Sequence, residues 1–104
     1  MNEKQLAAAF TAALQAACRK AAEETGVEDV RCVKEMEQRG GAEALRGLWK
    51  RRRLSPWFDA LAARGRLELS PEAIAIQSKY GALFTDDEVN ECFSALLEAG
   101  WRIG

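Results

Sequence analysis

The stretch 2–26, NEKQLAAAFTAALQAACRKAAEETG, decides the fold class. Leu6, Phe10, Leu14, Ala17, Cys18 and Ala21 recur in it at three- and four-residue spacing, the period of one face of an α-helix. Alanine fills seven of the other positions, and it has the highest intrinsic helix propensity. Gly26 stands where a helix needs a left-handed residue to stop. The spacing predicts one long amphipathic helix over 2–25.

The same period governs the chain downstream. Residues 28–38 form a second helix, with Val30, Val33 and Met36 inward and Glu28 and Asp29 in the first turn, where the helix dipole favours acids. Gly40-Gly41 breaks the chain, since each glycine costs about 1 kcal/mol against alanine inside a helix. A third helix, 42–52, turns Leu45, Leu48 and Trp49 inward and ends in Lys50-Arg51-Arg52-Arg53. Ser55-Pro56 opens a fourth, Ser as cap and Pro at the first helical position. Trp57, Phe58 and Leu61 supply its apolar contacts, and Gly65 ends it. Leu67 and Leu69 bracket a short extended link, with Glu68 facing the other way. Ser70-Pro71-Glu72 repeats the cap chemistry for a short fifth helix carrying Ala73, Ile74 and Ile76. After a hydrophobic elbow at 80–84, Thr85-Asp86-Asp87-Glu88 is a capping box. It starts a last helix to about Ala99, built on Val89, Phe93, Leu96 and Leu97. Gly100 ends that helix, and Trp101 folds back onto it. The expected fold is all-α: a compact bundle of five to six short helices in one domain, 1–104.

One set of segments is familiar as a pattern. Arg64-Gly65-Arg66-Leu67-Glu68-Leu69-Ser70-Pro71-Glu72-Ala73 is followed by Leu83-Phe84-Thr85-Asp86-Asp87-Glu88. Gly40-Gly41-x-x-Ala44 and Ser55-x-x-Phe58 lie upstream. This resembles a family of short bacterial proteins with a Gly-Arg-Leu-acid-Leu-Ser/Thr-x-Glu-Ala segment and then Leu-Phe-Thr with two or three acids. The resemblance runs from about Phe10 to Trp101. It implies an intracellular bacterial or phage-like source and supplies no active site, because the family has no assigned activity. Its members carry a short polar stretch before Ser-x-x-Phe, where this chain has Lys50-Arg51-Arg52-Arg53.

Net charge is −1, but it is unevenly placed. Residues 1–38 carry five basic and seven acidic side chains, 39–66 eight and two, and 67–104 two and seven. A basic middle third therefore lies between acidic flanks. Its centre is Arg46, Trp49, Lys50, Arg51, Arg52 and Arg53, with Trp57 close by and Arg64 and Arg66 one helix later. Such clusters hold phosphates through counterion release, and neighbouring aromatics stack on bases. They suit an acidic protein surface equally well. The plainer reading is a solvated helix end whose cations complement the dipole.

Other constellations have simpler explanations. Asp86, Asp87, Glu88 and Glu91 belong to a capped first turn. Glu68 and Glu72 flank Ser70-Pro71, where capping, solvation or a clasp with Arg64 or Arg66 accounts for them. Catalytic signatures are missing: there is no histidine, phosphate-binding glycine loop, dinucleotide fingerprint or nucleophile elbow. Three scattered cysteines, Cys18, Cys32 and Cys92, read as small core or boundary residues and point to a reducing cytoplasm rather than to zinc. No apolar run is long enough to cross a membrane. The expectation is a cytoplasmic, non-enzymatic interaction domain without cofactor or metal. It binds an acidic protein surface or a nucleic-acid backbone through Arg46, Trp49, Lys50, Arg51, Arg52, Arg53, Arg64 and Arg66. A mobile-element protein that blocks a host nucleic-acid-directed enzyme fits that size and charge. The rival readings are a sequence-tolerant DNA- or RNA-binding module and an oligomerisation domain.

Overall fold

Helix α1, Glu3–Thr25, is the element around which the others pack. Asn2 and Gln5 close its start reciprocally: the Asn2 side chain accepts from the Gln5 N–H at 2.8 Å, and the Gln5 side chain accepts from the Asn2 N–H at 3.2 Å. Its buried face is Phe10, Leu14, Ala17, Cys18 and Ala21, the expected stripe. Gly26 ends it with φ 73°. The computed structural model describes residues 2–101; residues 1 and 102–104 of the expected domain lie outside them.

Five more α-helices follow: α2 Val30–Arg39, α3 Gly41–Lys50, α4 Phe58–Arg64, α5 Pro71–Ala75 and α6 Asp86–Glu98. Two 3₁₀ turns, Leu67–Leu69 and Ser78–Leu83, join them. There is no strand among the described residues, and the chain is a single all-α domain. Its radius of gyration, 12.6 Å, matches the ~13 Å of a compact chain near this length. None of the described helices is long and apolar enough to cross a membrane.

The core centres on Phe10. Its ring meets Tyr80 edge-on at 5.0 Å and Phe84 at 5.3 Å, which docks the 78–83 turn onto α1. Leu14, Met36, Leu45, Leu61 and Leu96 are fully buried around it. Helices α1 and α3 approach closely at Gly41, where a Cβ would stand 2.8 Å from Leu14 Cδ2 and 3.3 Å from the Thr11 backbone. Gly40 has no side chain to cap α3, and Thr11 of α1 does so instead, its Oγ1 accepting from the Gly41 N–H at 2.9 Å. The second glycine of the pair is thus the first helical residue rather than a breaker.

Several expectations are corrected. Asp29 is not in the first turn of α2 but is its N-cap, accepting from the Cys32 N–H. Val30 then falls at the helix start, at the rim of the groove between α1 and α2, and is 63 % exposed. Leu97 is turned outward on α6, whose inward stripe is Cys92 and Leu96. The 67–69 link is not extended. It must reverse direction within a few residues, and a 3₁₀ turn does this while burying Leu67 and leaving Glu68 exposed.

Candidate anion-binding surface

The basic run leaves α3 through a left-handed stop. The Arg53 N–H donates to the Leu48 carbonyl at 3.0 Å and the Arg52 N–H to Trp49 at 2.9 Å, with Arg52 itself at φ 57°. This is the geometry glycine usually supplies after a helix. An arginine there carries strain of about 1 kcal/mol. The carbonyls that end α3 carry the negative end of its dipole, which favours the cations that follow. Arg51 Nε donates to the Gly47 carbonyl at 3.2 Å. Arg52→Gly is therefore expected to stabilise the domain by about 0.5–1 kcal/mol while removing one cation from the surface. Urea midpoints and anion binding measured on the same variant check both halves.

The sequence candidates separate into two groups. Lys50, Arg51, Arg52, Arg53 and Arg64 are exposed and make no ion pair among the described residues. Arg46 and Arg66 are used internally. Arg46 Nε donates to Glu88 Oε2 at 2.7 Å, one Nη donates to the Leu83 carbonyl at 2.7 Å, and the other pairs with Glu43. Arg46 thus ties α3 to α6 and to the turn before it. Arg66 bonds Glu68 at 2.7 Å and Glu24 at 3.2 Å, clasping the α4 end to α1. The anticipated clasp with an acid flanking Ser70 exists, with Glu68. Arg46 is committed through all its nitrogens, and Arg66, still 44 % exposed, is neutralised by two surface acids.

The two aromatics of the segment are engaged inside the fold, Trp57 fully and Trp49 in part. Trp57 is 1 % exposed and its Nε1 donates to the Val27 carbonyl at 2.9 Å. Trp49 lays its ring on Phe84, with centroids 5.5 Å apart, and its Nε1 is buried without a hydrogen-bond partner. One residue absent from the expected set belongs here. Arg39, on the last turn of α2, is exposed, and its Nη1 reaches the same side of α3 as Arg51, both flanking Gly47. Its place in the basic middle third was visible, but its reach across the α2–α3 corner required the fold.

What fixes the loop after the basic run is Glu72. This carboxylate was expected to be a solvated or capping acid, yet Glu72 is fully buried. Its oxygens accept from the Ser55 N–H at 2.8 Å and the Ser55 hydroxyl at 2.7 Å. Ser55 therefore does not cap α4, which starts uncapped at Phe58. Ser70 does cap α5, accepting from the Ala73 N–H at 3.1 Å. Burial pushes the Glu72 carboxyl above its ordinary range, against the Ser55 donors and the nearby indole of Trp49, which favour the charged form.

The cysteines are held as thiols. Burial raises the thiols of Cys18 and Cys92 to about 12 and of Cys32 to about 11. All three are therefore un-ionised near neutrality and poor nucleophiles. Asp86 and Asp87 are exposed in the first turn of α6. Glu88 closes the capping box with Thr85, and Arg46 beside it holds its carboxyl below the usual range. No group of three or more Cys, Asp or Glu among the described residues could hold a metal ion. Comparison with protein-family models, with curated proteins and with solved structures finds no match, so the reading of this surface rests on its own chemistry.

Proposed function

We propose that this chain is a non-catalytic binding domain whose basic edge, Arg39 with the run 50–53, docks on an acidic protein surface. One observation carries the reading: four consecutive cations stand exposed without an acid partner among the described residues, while Arg46 and Arg66 are internally paired. The backbone beneath the run is held at both ends, by the α3 stop and by the Glu72–Ser55 hydrogen bonds. A backbone already held needs no further ordering on binding, which favours affinity.

Three features favour a protein over a nucleic acid. The sequence pI is about 5.5, far from the strongly basic balance of domains that track a phosphate backbone. Of the two indoles of the segment, Trp57 is buried and Trp49 is half-buried with its ring packed against Phe84, so neither stands free as a base-stacking platform beside the cations. Glu91, exposed beside Arg52 in a surface hollow of about 340 Å³, also interrupts the basic edge on the α6 side. That suits a partner of mixed polarity better than a uniform polyanion.

The test is fluorescence anisotropy with poly-L-glutamate and with a short DNA duplex across a salt series. The expected result is tighter binding of the polyglutamate, weakened by about tenfold or more when Arg51, Arg52 and Arg53 are all changed to Gln. Tighter binding of the duplex would move the reading to nucleic acid. Binding of neither probe at low salt would remove the basic edge as a binding surface.

A further inference from the structure

Within the basic edge, Gly47 occupies the interior of α3, where glycine costs stability relative to alanine. Packing does not demand it. A Cβ built there would meet only Arg39 Nη1 at 3.6 Å and Arg51 Nη2 at 3.8 Å, ordinary contact distances to the tips of two flexible side chains. The bare helix surface at Gly47 is therefore flanked by two guanidinium groups and by nothing else that close. Arg51 is oriented by its Nε bond to the Gly47 carbonyl, which leaves both its Nη groups free to donate. Neither arginine has an acid partner among the described residues. Two like charges converging on one cleared spot without a counterion is an unfavourable arrangement in the free protein.

We infer that Arg39, Gly47 and Arg51 form a seat for a phosphate monoester dianion, presented as a phosphorylated side chain on the acidic partner proposed above. The inference rests on that docking reading and deepens it. A carboxylate has one charge and two oxygens, which a single guanidinium fork satisfies. Two forks match a group carrying up to two negative charges and three terminal oxygens. Glycine between them lets the group approach the helix surface.

The test compares three fluorescent acidic peptides of one sequence, with phosphoserine, Glu or Ser at the central position, together with a 5′-phosphorylated oligonucleotide. The phosphoserine peptide is expected to bind on the order of tenfold tighter than the Glu peptide at neutral pH. That preference should fade as pH falls through about 6, where the phosphate takes up its second proton. Arg39→Gln and Arg51→Gln should each abolish the preference. Gly47→Leu, which keeps every charge and fills the cleared spot, should abolish it too. Lys50→Gln should weaken all peptides alike and leave the preference in place. Equal binding of the phosphoserine and Glu peptides overturns the seat and leaves the docking surface standing. Binding of no peptide overturns both. Tighter binding of the phosphorylated oligonucleotide than of the phosphoserine peptide overturns the assigned source of the phosphate.

Discussion

Replacing Glu72 by Ala is expected to destabilise the domain by about 3–5 kcal/mol, since two buried donors lose their acceptor at about 1–3 kcal/mol each and the lost side chain leaves a cavity. The Ser55 N–H and hydroxyl would lose their acceptor in a site with no access to water. Domains of this size have about 5–15 kcal/mol in total, so the variant should unfold at much lower urea. Glu72→Gln should cost less, about 1–3 kcal/mol, because one amide oxygen still accepts while the amide NH2 faces a donor. The acidity of Glu72 adds a sign that can be checked. Its carboxyl holds its proton above the ordinary 4.5 in the folded state. Its contribution is fully present below 4.5 and is lost as pH rises through the raised folded value. Glu88 has the opposite sign, since its carboxyl is held below 4.5 by Arg46 and its contribution is lost as pH falls through that lowered value. Urea midpoints across pH should show Glu72→Gln removing the decline on the upper side only.

Arg46→Ala is expected to cost about 1–3 kcal/mol and to leave polyglutamate binding nearly unchanged. The arginine side chain is 22 % exposed and its partner Glu88 18 %, so the pair is partly shielded from water. Its loss strands the Glu88 carboxylate and the Leu83 carbonyl together, and the guanidinium also lies 5.8 Å above the Phe84 ring. Arg51→Ala should behave in reverse, with stability within about 0.5 kcal/mol of the parent and a marked loss of polyglutamate affinity. Thermal melts and anisotropy on the two single variants separate the structural arginine from the binding one.

Those two arginines show where sequence reading stops. Both are cations within one basic segment, and locally only Glu43, one turn before Arg46, sets them apart. Their fates differ because Glu88, 42 residues downstream, folds back against Arg46 and no acid folds back against Arg51. The same holds for the two serines before proline. Ser55 and Ser70 look alike as caps, yet only Ser70 caps, because Glu72 of α5 takes the Ser55 hydroxyl. Local signals were legible: the α1 stripe, the Thr85–Glu88 box and the stops at Gly26, Gly65 and Gly100 all depend on near neighbours. The role of Gly41 was not, since its constraint comes from Thr11 and Leu14 across a helix contact.

The central claim, that the exposed basic edge is the binding surface, is tested most directly by locating an acidic ligand on the folded chain. Backbone amide shifts of isotope-labelled protein, followed by NMR during titration with poly-L-glutamate, do this residue by residue. Salt-sensitive shifts are expected to gather at Arg39, Gly47 and Lys50 to Leu54, with Arg46 and Arg66 little affected. Shifts gathered instead along the groove between α1 and α2, beside Val30 and Val33, or the absence of shifts at low salt, would contradict the claim.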